Sequence, residues 1–155
     1  MKQVMTACMV VLAVLAWTGG LTAHHSLVRF DTTKILWVKG TVVRFDLVNP
    51  HVRFVLEQTT ESGQTQRWVV DGPSSNQLAR LRIGPDFLKA GDRIEVCGVG
   101  LKEEIPDVSR DRPLSGHVLV MPNGRRQFWS DYGVFERCLP PGEDPAAFRR
   151  EAFGL

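Results

Sequence analysis

The stretch Ile35–Asp71, ILWVKGTVVRFDLVNPHVRFVLEQTTESGQTQRWVVD, decides the fold class. It is rich in β-branched and aromatic residues, and its apolar side chains recur at every second position, the period of a half-buried strand. Along Ile35 to Val48, the side chains of Val43, Phe45 and Leu47 share one face, and those of Val42, Arg44 and Asp46 the other. Gly40 interrupts this run and signals a bulge or a sharp bend in a long strand. Asn49-Pro50 ends it, because proline fixes φ and donates no ladder hydrogen bond. The alternation resumes over His51 to Gln58, with Val52, Phe54 and Leu56 inward. Glu61-Ser62-Gly63 is hairpin chemistry and leads into a third strand over about Gln66 to Asp71.

Downstream, Asp71-Gly72-Pro73-Ser74 runs into a helix near Ser75 to Arg82, with Leu78 and Leu81 apolar and Gly84-Pro85 as the stop. A fourth strand follows over Arg93 to Val99. The charged, proline-containing segment 102–116 reads as an exposed loop. Beyond it, His117 to Met121 and Arg125 to Trp129 flank an Asn123-Gly124 hairpin turn. In the tail 140–155, Asp144 caps a short helix that Pro145 opens and that runs to about Phe153. Three strands, a helix and further strands give the order of a small Greek-key barrel of the OB type, mainly β, with a β-sandwich as the alternative.

Upstream, Lys2 is followed by the apolar run Val4 to Trp17 and by the small, turn-prone Thr18 to Ala23. That three-part layout predicts a cleaved secretory signal peptide over 1–23. The run of 14 residues rises about 21 Å, short of the ~30 Å hydrocarbon core, so no stable membrane span is expected after cleavage. The mature chain is then a single barrel domain over 24–155, opening on an arm at 24–34, and its expected location is the periplasm.

The composition is that of an ordinary globular chain, 43% hydrophobic and 23% charged, with formal net charge +2. Even charge of that size supplies no field for nucleic acid or an anionic membrane. After cleavage two cysteines remain, Cys97 and Cys138. In an exported chain an even pair reads first as a disulfide, which would add about 3–4 kcal/mol by restricting the unfolded chain. Two buried thiols, or two soft ligands for copper(I), are the alternatives.

Several motifs together carry a family resemblance: His24-His25-Ser26, Phe30-Asp31, Lys39-Gly40-Thr41-Val42, Asn49-Pro50-His51, Trp68, Gly72-Pro73-Ser74, Leu88 to Asp92 and Met121 to Arg125. The chain resembles the exported bacterial family known as domain of unknown function 6152, over about residues 24–126. It departs from that family in having Leu27 for a Phe, Leu47 for a Trp, a longer segment 102–115 and the cysteine pair. The resemblance implies a periplasmic, β-rich domain and no defined activity, so function has to come from the site.

The chemically distinctive feature is the mature N-terminus. Cleavage after Ala23 would give His24 a free α-amine, and that amine with the His24 Nδ1 can chelate one metal ion. A third nitrogen, from His25, His51 or His117, would complete a T-shaped copper(II) site. Amine and imidazole are both available as donors near neutral pH. Cleavage one residue earlier would place His25 third in the chain, a second arrangement that chelates copper. The expected metal ligands are therefore His24, His25 and His51, with copper as cofactor and a copper protein or other envelope protein as partner. The competing readings are a solvated histidine tail and a non-metal module that binds a protein partner or small ligand.

Other chemistry is excluded more directly. There is no phosphate loop, nucleophile elbow or His-Glu-x-x-His helix, and Ser26 beside two histidines makes no triad, so the sequence offers no catalytic constellation. Trp37, Trp68, Trp129 and Tyr132 could form a stacking platform for single strands, but balanced charge and the expected export argue against it.

Overall fold

Strand β1 (Leu36–Asp46) is shared between two neighbours, and that sharing shapes the molecule. Its first half pairs antiparallel with β4 (Arg93–Gly100), and its second half with β2 (Arg53–Thr59). The strand therefore has to bend where it changes partner. At Gly40 an added Cβ would lie 2.6 Å from the Glu57 carbonyl oxygen, so only glycine lets the strands approach there. These elements come from a computed structural model that describes residues 27–103, 105–107, 110–131 and 133–155.

β2 continues by a hairpin into β3 (Thr65–Asp71), followed by the short helix α1 (Ser75–Arg80), β4, β5 (Arg112–Val120), β6 (Arg126–Phe128) and the C-terminal helix α2 (Pro145–Phe153). The sheet order is β3-β2-β1-β4-β5-β6, and β3 also pairs with β5, in parallel, from Trp68↔Arg112 to Asp71↔Ser115. That pairing closes five strands into a barrel and leaves β6 as an added strand. The expected Greek-key barrel is the observed architecture, and closure excludes the sandwich, whose two sheets would stay open at their edges.

The alternation in β2 is as expected, with Val52, Phe54 and Leu56 all fully buried. In β1 it is corrected. The ladder with β2 slips between Val42↔Leu56 and Arg44↔Val55, so Val43 is an extra, unpaired residue. This bulge resets the alternation: Val42 is buried and Val43 exposed, while Phe45 and Leu47 pack against the core. Val43 therefore does not share the face of Phe45 and Leu47.

Segment 102–116 is also corrected. β5 begins at Arg112, because closure against β3 recruits Arg112 to Ser115 into the barrel. Pro113 stands second in the strand, near its start, where a missing donor is tolerated. Helix α1 stops at Arg80, two residues short of the expected end, with both Leu78 and Leu81 buried. Its start is a capping box in which the Ser74 hydroxyl accepts from the Gln77 amide. Asp144 caps α2 as expected, with Pro145 in the first turn.

Fully buried Trp129 sits amid Phe54, Phe45 and Phe87, with ring centroids 5.4, 6.3 and 6.4 Å away. Cys97 on β4 is joined by a disulfide to Cys138, with Cα atoms 5.8 Å apart. Among the described residues no helix is long and apolar enough to cross a membrane.

Candidate functional site

The β1–β2 corner is tied to the end of β3 by a compact set of hydrogen bonds. The Val52 amide donates to the Pro73 carbonyl (3.0 Å), and the Gly72 amide to the Val52 carbonyl (2.9 Å). The Ser75 hydroxyl donates to Asn49 Oδ1 (2.6 Å). The Asn49-Pro50 peptide bond is cis. Two separate motifs, Asn49-Pro50-His51 and Gly72-Pro73-Ser74, thus become one structural unit. Gly72 also has to be glycine, since a Cβ there would lie 2.6 Å from Trp129 Nε1. The corner rests directly on the core indole.

His51 is half-buried at this corner, and its Nδ1 lies 3.1 Å from the Gly72 carbonyl oxygen. A carbonyl can only accept, so Nδ1 carries the proton and the ring's lone pair belongs to Nε2. Histidines that bind metals are commonly oriented this way, with one ring nitrogen donating to a carbonyl and the other facing the metal.

His24 and His25 lie outside the described residues. The chain they lead into is placed: Leu27–Arg29 forms one 3-10 turn, and Phe30 bridges to Leu101. The Asp31 amide donates to Gly100, and the Lys102 amide to Arg29. The arm thus enters beside the end of β4. Among the described residues no group of three or more His, Cys, Asp or Glu side chains could hold a metal ion.

His117, another candidate third ligand, lies in the core. It is fully buried on β5, and the ladder with β4 passes from Cys97↔Val118 to Gly98↔Gly116, which makes His117 the extra residue of a second bulge. Its carbonyl accepts from the amides of Trp129 (2.8 Å) and Ser130 (3.3 Å). Its Nδ1 lies 3.3 Å from the Ser130 hydroxyl, which itself donates to the Gly116 carbonyl. Burial penalises the charged ring and lowers its pKa to about 4, against opposing contributions from the Ser130 backbone and Asp131, so the ring is neutral at pH 7.

The disulfide removes both cysteine alternatives, since neither buried thiols nor soft copper(I) ligands exist while the sulfurs are bonded to each other. Among the described residues no tryptophan platform forms: Trp129 and Trp68 are buried, the latter donating to Gln58 Oε1, and Trp37 alone of these is exposed. Tyr132 lies outside the described residues.

The sequence matches the family of unknown function DUF6152 over residues 11–105, more than half of the chain. It belongs to that family. Membership in DUF6152 takes in His24-His25-Ser26, the Asn49 to His51 corner and its Gly72 to Ser74 partner. The DUF6152 match stops before β5, so His117, Cys138 and the Met121 to Arg125 hairpin lie beyond it. No curated protein matches the chain.

The sequence also signals a feature that motif reading passes over. Arg82 follows α1 with φ of 59°, a left-handed conformation that glycine ordinarily takes. The signal was a helix end without a glycine at the required place.

Proposed function

We propose that this chain is an exported, periplasmic barrel protein that binds or delivers copper through its mature N-terminal histidine. The observation that carries the reading is the His51 ring, held by the Gly72 carbonyl with its lone pair on Nε2 at the family's Asn-Pro-His corner. Cleavage after Ala23 supplies the other donors, the α-amine and Nδ1 of His24, with His25 adjacent. The Cys97–Cys138 bond supports an oxidising compartment, where such bonds persist. In this reading the barrel's part is to present one oriented imidazole, and the arm brings the chelate to it. The residues that would hold copper(II) are His24, through its amine and imidazole, and His51, whose nitrogen donors suit that ion.

The test compares authentic mature protein, its first residue verified by mass spectrometry as His24, with a version carrying one extra N-terminal residue. The added residue turns the amine into an amide without a basic lone pair. The native terminus should bind about one copper(II) ion and the extended one at least ~100-fold more weakly, consistent with loss of a chelating nitrogen. Equal affinities, or a retained 1–23 segment in exported protein, would end the copper reading and leave a non-metal binding module.

A further inference from the structure

A second feature lies away from the histidines, in a crevice of about 320 Å³ between the end of α1, the start of β6 and helix α2. Four arginines border it, Arg80, Arg82, Arg125 and Arg126, against a single bordering carboxylate, Glu151. Arg126 is already engaged, with an ion pair to Glu143 at 2.7 Å and its guanidinium 5.3 Å from the Phe148 ring centre. Arg80, Arg82 and Arg125 make no ion pair with any described residue, though Arg125 donates to Gln127 Oε1 (2.9 Å). Three guanidinium groups against one carboxylate leave a surplus of two positive charges around a concavity. The wall includes Phe128 and Phe153, whose ring centres lie 5.7 Å apart, so the crevice is also apolar.

The backbone at Arg82 adds an independent observation. The end of α1 is a Schellman motif: the Ile83 amide donates to the Leu78 carbonyl (2.9 Å) and the Arg82 amide to Ala79 (3.0 Å). The residue at the left-handed position of that motif is usually glycine, because any Cβ is strained there. Here it is an arginine at φ 59°, and its side chain borders the crevice. Local backbone physics disfavours this residue, so the tertiary role of its guanidinium has to explain it.

We propose that this crevice binds a small phosphate monoester with an apolar body. The surplus of two charges matches a dianionic head, arginines are the side chains suited to phosphate oxygens, and the aromatic wall receives the apolar part. The site is independent of the copper reading and shares no residue with it.

The experiment titrates mature protein at pH 7.5, with a chelator present, using phenyl phosphate, benzoate and inorganic phosphate. Phenyl phosphate should bind at least ~10-fold more tightly than either comparator, each of which lacks a charge or the ring. Added salt should weaken it. Arg82→Gly should weaken phenyl phosphate ~10-fold while leaving Tm unchanged or raised, since glycine suits the left-handed position. Arg125→Gln, on the exposed hairpin, should also weaken it. Benzoate or inorganic phosphate binding as tightly as phenyl phosphate overturns the assignment, as does unchanged affinity in both variants. A lower Tm for Arg82→Gly with affinity intact also overturns it, because Arg82 would then serve only the stability of the fold.

Discussion

His51 and His117 occupy the same barrel and carry the same side chain, yet their surroundings give them different chemistry. His51 stands half-buried at a corner, its Nδ1 proton committed to one carbonyl. His117 fills a bulge inside the wall, its ring beside Ser130 and its carbonyl bound by two amides. The first is oriented and near the surface; the second is desolvated and kept neutral, with its pKa lowered to about 4. A buried neutral imidazole behaves as a polar packing group, and a metal could reach it only by opening the barrel. Orientation by hydrogen bonding and access to solvent must occur together before a histidine can serve as a ligand.

The sharpest way to break this contrast is through the covalent link beside His117, because Cys97 lies on β4 opposite the bulge. Replacing both cysteines, Cys97→Ser with Cys138→Ser, should lower the unfolding free energy by about 3–4 kcal/mol in denaturant titrations. A negligible loss would mean that this wall is held by packing alone.

Single histidine substitutions come next. His117→Ala leaves a cavity and unpaired partners in the core and should cost about 2–4 kcal/mol. His51→Ala removes the hydrogen bond to the Gly72 carbonyl and should cost about 1 kcal/mol. Equal losses would erase the distinction between the two sites.

The pH dependence sharpens the same point. An unfolded histidine titrates near 6.5, whereas His117 in the barrel takes a proton only at about 4. Between those values the unfolded chain holds the extra proton, so stability falls as pH drops from about 6.5 to about 4 and is regained as pH rises. The full contribution is about 3 kcal/mol, and the slope over that window should flatten in His117→Gln. An unchanged slope would place the acid sensitivity in another group.

One further expected effect is the most specific to function. His51→Ala should weaken copper(II) binding by mature protein about 10-fold, near 1.4 kcal/mol, with the fold retained, and a conservative His117→Gln should leave it unchanged. Binding should also decline from pH 7 to pH 5, because amine and imidazole must be deprotonated to coordinate. A His117 variant that lost copper while His51→Ala kept it would reverse the two roles.

What the amino-acid sequence determined by itself is local. Period-two alternation placed β2 and its three inward residues, since neighbouring side chains on a strand must point to opposite faces. Capping chemistry at Ser74 and Asp144 placed the two helix starts, because orphan amides there need a nearby acceptor. The pairing of Cys97 with Cys138 followed from number and expected compartment. The tertiary structure alone decided what depends on distant partners. Pairing with β3 drew Arg112 to Ser115 out of an expected loop, and the β2 ladder made Val43 a bulge. Closure of the same wall buried His117, and the Trp129 indole explains why position 72 is glycine. Such features have no local signature, because ladder register and burial are set by residues tens of positions away, and only the closed barrel brings them into contact.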